Sequence, residues 1–122
     1  MELKREDIQS LTAIFPGNCA VYKLKGKTLE FLMSSEGAEE VGHRAGRVFL
    51  QDVQLDFYTK VFKNDRRFLR EAVEQAVRKG SAECVYRFGY EDKDEFIWVH
   101  TIVKYIGELE DSPVLILTFR DA

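Results

Sequence analysis

With 122 residues, 45% of them hydrophobic and 32% charged, the chain has the size and balance of one globular domain with an ordinary core. Its formal net charge is -3, and Lys and Arg are spread along the chain, so the basic stripe that a phosphate backbone requires is missing and nucleic acid is not expected as a partner. The longest apolar run, VLILTF at 114–119, is far short of the roughly 20 residues that cross a bilayer, and the start MELKREDIQ has no apolar signal core, so a cytoplasmic module without membrane insertion is expected.

From Leu3 to Phe15 the apolar residues Leu3, Ile8, Leu11, Ile14 and Phe15 recur at helical spacing, which predicts an amphipathic helix closed by Pro16-Gly17. NCAVYKLKGKTLEFLMS then reads as a hairpin with strands 18–24 and 28–33, with Cys19, Val21 and Leu24 on one side of the first and Leu29, Phe31 and Met33 alternating with Thr28, Glu30 and Leu32 in the second. Ser34 or Ser35 is an N-cap for a short acidic helix stopped by Gly42. Residues 43–62 carry no clean period and read as short helical turns and loops packed by Phe49, Leu55, Phe57, Val61 and Phe62. Asn64 or Asp65 caps the clearest helix, whose stripe of Phe68, Leu69, Ala72, Val73, Ala76 and Val77 ends at Lys79-Gly80.

Three strands follow, near 82–90, 95–106 and 113–120, joined by the acidic bend 91–95 and the turn GELEDSP. The order predicts an α+β domain with one antiparallel sheet of about five strands. Trp98 and Ile102 on one side and Ile97, Val99 and Val103 on the other make the late strands apolar on both faces, so both faces need cover. Cys19 and Cys84 stand far apart, without the paired spacing of a metal knuckle or redox dithiol, and read as reduced structural thiols.

Four stretches, in this order, carry a family resemblance: FLMSSEGAEEVGH, NDRRFLREAVEQAVRKG, CVYRFGYEDKDEFIWVH and VLILTFRDA. Together they resemble a PAS domain, the small sensory fold of bacterial signalling proteins, in the subgroup with an Asp-Asp-Arg motif before the long helix and Trp-Val in a late strand. Lys63-Asn64 and the acidic bend without Gly depart from the usual pattern. The resemblance implies residues 18–122 as the sensor domain, with 1–17 a helix in front of it. It also implies a non-catalytic module that binds a small molecule or dimerises to regulate a covalently linked output domain, a diguanylate cyclase or a histidine kinase.

The residues expected to line a ligand pocket are Phe31, Phe49, Phe57, Phe62, Tyr86 and His100, and those expected at a homodimer interface are Leu3, Ile8, Leu11 and Phe15. A haem ligand is not expected, because residues 57–80 contain no histidine. Nor is a flavin adduct, because Cys19 is followed by Ala20-Val21 in a first-strand context, away from the motif that the light-sensing branch of the family uses. A colourless small molecule remains the expected ligand, and no metal site is expected. Glu36, Glu39 and Glu40 read as a helix's solvated acidic turn, and Arg66 and Arg67 beside Asp65 read either as an anion clamp or as surface ion pairs. Two rival readings stay open: a small cone-shaped isomerase or dehydratase using His100 with a carboxylate such as Asp65, and a pure dimerisation module with a filled core.

Overall fold

Apolar alternation at the two ends of the chain, and a helical stripe between them, combine into one sheet with helices on both sides. The computed structural model describes residues 1–14, 17–52 and 56–122, with the backbone alone for 12–14. Helix α1 spans Arg5–Ile14, α2 Glu36–Arg44 and α3 Arg66–Lys79; the strands are β1 Cys19–Lys25, β2 Thr28–Ser34, β3 Ser81–Tyr90, β4 Glu95–Leu109 and β5 Ser112–Asp121. They pair antiparallel in the order β2-β1-β5-β4-β3, so the expected α+β class and five-stranded sheet are present. Among the described residues no helix is long and apolar enough to cross a membrane.

The two faces of the sheet have separate cores. On the inner face Ala20, Tyr22, Leu29, Tyr86, Phe88, Val99, Val103, Leu115, Leu117 and Phe119 pack with α2, α3 and the 3-10 turn Phe57–Lys60. On the outer face Cys19, Val21, Val114, Ile116 and Leu109 pack with Leu3 and Ile8. Leu24 therefore belongs to the side opposite Cys19 and Val21, contrary to the expected grouping; all of them read as apolar because both faces of β1 are covered. The register also slips between Val21 and Tyr22, so Met33 pairs with Val21 and joins the outer cluster with Leu32, while Phe31 packs against the inner one.

Local chemistry sets the boundaries. Ser35 caps α2 by accepting the Ala38 amide. Gly42 does not stop that helix; it lies within it, because a Cβ there would sit 2.3 Å from the Val48 carbonyl, and the bare backbone lets the following loop fold against it. The long helix stops at Gly80, whose φ of 101° suits glycine. Its buried stripe is Leu69, Ala72, Val73 and Ala76. Phe68, expected in that stripe, is 40% exposed, because it lies at the seam between α3 and the edge strand β3. Between β4 and β5 the expected loop is mostly strand: β4 continues past a bulge between Tyr105 and Gly107, and Glu110-Asp111, both at positive φ, close a tight turn.

Candidate functional site

Of the six expected pocket residues, the fold gathers three. Phe31, Phe57 and Tyr86 belong to an aromatic cluster on the inner face, in which Phe57 meets Tyr22 edge-on at 5.1 Å and stacks on Phe88 at 5.6 Å and Phe119 at 6.0 Å. Phe31 meets Tyr22 at 5.9 Å and Tyr86 meets Phe88 at 6.4 Å. These are contact distances between rings, so the cluster fills its own space. The Tyr86 hydroxyl is bonded to Thr101 Oγ1 at 2.7 Å, and burial drives its pKa well up.

The other three lie elsewhere. Phe49 is 65% exposed beside α2, because the inward positions of its loop are taken by Val48 and Leu50. Phe62 packs on the far side of the edge strand, against Phe96 at 4.8 Å and under the Arg87 guanidinium at 4.7 Å. His100 is on the outer face, opposite to Val99 and Val103 along β4, because side chains alternate. Arg120 Nε donates to its Nδ1 at 2.7 Å, which leaves the ring proton on Nε2, 3.3 Å from Glu83 Oε2. That carboxylate is 66% exposed on an open sheet face. Asp65 is engaged with Arg87, so the pair imagined for an enzyme is not assembled. Nor do Arg66 and Arg67 form an anion clamp: Arg66 Nε donates to the Val61 carbonyl at 2.9 Å, and Arg67 lies over the Phe68 ring at 4.9 Å.

The expected interface stripe is largely consumed within the chain. Leu3 and Ile8 are buried against β1, β5 and the end of β4, and Leu11 borders the same cluster, because the apolar stripe of α1 and the outer face of the sheet satisfy each other. Phe15 and Leu55 lie outside the described residues. The exposed apolar surface of that face is further along, where Val85 is 45% and Trp98 50% exposed on neighbouring strands, with Arg87 beside them.

Several polar groups that the sequence did not single out sit at the rim of the inner core. The Tyr22 hydroxyl is buried without a hydrogen-bond partner among the described residues. Lys60 is 2% exposed; burial lowers its pKa, against the pull of Asp52, Glu39 and Asp56. Between the β1–β2 hairpin and α3 is a crevice of about 190 Å³ lined by Leu24, Gly26, Lys27, Tyr58, Arg70, Val73 and Glu74. There the Arg70 guanidinium lies over the Tyr58 ring at 4.3 Å. Arg70 and Glu74 stand four apart on α3, and Tyr58 falls in the stretch without a period.

By sequence the chain matches no family model and no curated relative. By structure it is similar to the PAS domain of a protein from Colwellia psychrerythraea, with a TM-score of 0.63, 16% identity and coverage of 97% of this chain and 95% of that one. It is also similar to the PAS domain of a two-component sensor histidine kinase, with a TM-score of 0.61, 12% identity and coverage of 96% of both chains. A third similar structure is the N-terminal domain of a diguanylate cyclase with PAS/PAC sensor from Marinobacter aquaeolei, with a TM-score of 0.58, 14% identity and coverage of 84% of this chain and 92% of that one.

Proposed function

We propose that this chain, whose fold is that of PAS domains, is a non-catalytic sensory module that takes up a small molecule, dimerises and biases a covalently linked output domain. The observation that carries the reading is the division of the outer sheet face. The N-terminal segment covers one half, through Leu3 ahead of α1 and Ile8 on it, while Val85 and Trp98 leave an apolar patch open on the other. An inner core closed by helices, with one open face beside a terminal helix, provides a surface through which a change of packing reaches a neighbour. A two-fold contact through that patch satisfies the same residues in both subunits, and with α1 alongside it supplies surface toward the roughly 800 Å² per partner of a standard interface.

The output is a diguanylate cyclase or a histidine kinase, as in two of the similar structures, and the setting is cytoplasmic. Non-catalytic action is supported by His100, whose ring is held between Arg120 and an exposed Glu83 on an open surface. The packing of Phe31, Phe57 and Tyr86 means that a ligand meets the inner core at its rim, not between those rings. Sedimentation of the intact chain beside Trp98→Glu tests the reading. A dimer that becomes monomeric in the variant supports it, and an intact chain that stays monomeric at high micromolar concentration removes its main support.

A further inference from the structure

We infer that the crevice between the β1–β2 hairpin and α3 binds a small aminocarboxylate, chemically a free amino acid, with Arg70 holding the carboxylate and Glu74 the ammonium group. The inference rests on the sensory reading above, since it names the class and the site of the small molecule which that reading requires.

Arg70 carries the first part of the argument. Its guanidinium lies over the Tyr58 ring at 4.3 Å, and its Nε is buried with no hydrogen-bond partner among the described residues. The ring contact holds the guanidinium at the wall of the crevice, and a guanidinium's planar set of N–H donors matches a carboxylate with two parallel bonds. Among the described residues the chain supplies no acceptor to the buried Nε and no ion pair to the group, so the guanidinium's charge is left to be met by an anion at the crevice it lines. Lys27, on the hairpin turn, brings a second cation to the same crevice.

Glu74 decides the class of anion. It lines the crevice one helical turn beyond Arg70, and among the described residues the two form no ion pair with each other. Arg70 and Lys27 against Glu74 leave one net positive charge, which favours an anion but demands a donor opposite Glu74. A simple carboxylate offers none, and an ammonium group on the same ligand does. The Tyr58 hydroxyl lies within the field of both ends: burial raises its pKa most, Arg70 lowers it, and Asp56 and Glu74 raise it. Leu24 and Val73 supply apolar wall for a short side chain. The volume of about 190 Å³ equals some six waters at roughly 30 Å³ each, below the roughly 300–1,000 Å³ of drug-sized pockets and suited to a small amino acid. Such a ligand bridges the hairpin edge of the sheet to the helix that lies across it, so occupancy favours one packing of the two.

The proteinogenic amino acids, tested singly with the intact chain, provide the probe set. Binding is read by calorimetry and by the side-chain Nε–H resonance of Arg70. For a binder such as L-valine, isovalerate lacks the amine and isobutylamine lacks the carboxylate. The expected result is saturable millimolar or tighter binding by at least one amino acid that shifts the Arg70 resonance, with affinity about tenfold weaker for the amine-free analogue and none for the carboxylate-free one. Arg70→Met is expected to lose about tenfold or more with its spectrum still dispersed, Arg70→Lys to recover only part, and Glu74→Gln to erase the preference for the amine. Overturning results are no saturable binding by any amino acid at millimolar concentration, binding that survives Arg70→Met, or an amine-free analogue that binds as well as its parent. Each of these leaves the dimer of the intact chain and its loss in Trp98→Glu untouched, so failure here is distinct from failure of the sensory reading.

Discussion

Asp65 and Arg87 are joined by three hydrogen bonds: the Arg87 backbone amide and its Nε donate to Oδ2 at 2.9 and 2.8 Å, and its Nη2 donates to Oδ1 at 3.0 Å. Asp65 occupies the N-cap position of α3 but makes no side-chain cap bond there. It ties the start of the helix to the edge strand, and Arg87 in turn lies over the Phe62 and Trp98 rings.

Asp65→Asn is therefore expected to cost about 2 kcal/mol near neutral pH, measured by urea unfolding. The hydrogen bonds from Arg87 lower the Asp65 pKa, against a smaller opposing push from burial. A carboxyl with a lowered folded-state pKa stabilises the fold above its unfolded pKa of about 4, and this contribution is lost as pH falls through the folded value. The gap between parent and variant should therefore shrink in acid. A gap independent of pH would show that the carboxylate charge is not what holds the two elements together.

Val73→Asp is expected to destabilise by several kcal/mol, because Val73 is 2% exposed on the inner face of α3 and a charge there has no partner. Thermal melting decides it; a variant within a degree or two of the parent contradicts the assigned face.

How much of this was legible depends on whether a residue's place follows from a local period. Strands β3 to β5 and α3 were legible because alternation, a helical stripe and Gly80 are all local signals. Phe68 was misjudged because it shares the helical spacing of the stripe while the sheet ends beneath it. The Asp65 side chain was misjudged because a short polar residue before a helix ordinarily caps it, and only the tertiary position of Arg87, far along the chain, draws it away. Tyr58 reaches the crevice beside Arg70 through the turn that brings residues 57–60 against the inner core, which no local pattern announces.

Lys60→Met is expected to raise stability by about 1 kcal/mol at neutral pH, since it replaces a buried amine by an apolar chain of similar length. Burial lowers the Lys60 pKa, so above the folded value the unfolded chain binds the extra proton and the parent gains stability as pH rises toward the ordinary lysine range. The advantage of the variant should therefore narrow in alkali. An equal advantage from pH 7 to pH 10 would refute the assignment.

Both cysteines are expected to resist labelling at pH 8 in the folded chain and to react at once in denaturant. Burial, helped by Glu83, pushes the Cys84 thiol up to about 12, and burial also raises Cys19. At pH 8, four units lower, about one Cys84 in ten thousand is the reactive thiolate. Rapid native-state modification would show that these sites open readily.

A chain beginning at Gly17 is expected to lose about 3 kcal/mol of stability by calorimetry, because burial of Leu3 and Ile8, each 8% exposed or less, is forfeited and Val21, Val114 and Ile116 are uncovered. An unchanged melting point would mean that α1 does not rest on this sheet in solution.

The pairing of Glu2 with Glu108 and of Val99 with Asp121 puts residues near the two ends of the chain at opposite ends of a single strand. At roughly 3.3 Å per residue these attachment points are about 30 Å apart along β4. A pull applied between these two points is directed along β4, and the antiparallel β4–β5 ladder meets such a pull in shear, with its hydrogen bonds loaded together instead of peeled one at a time. The strand that carries Trp98 is thus also the one against which residues near both ends of the chain are paired.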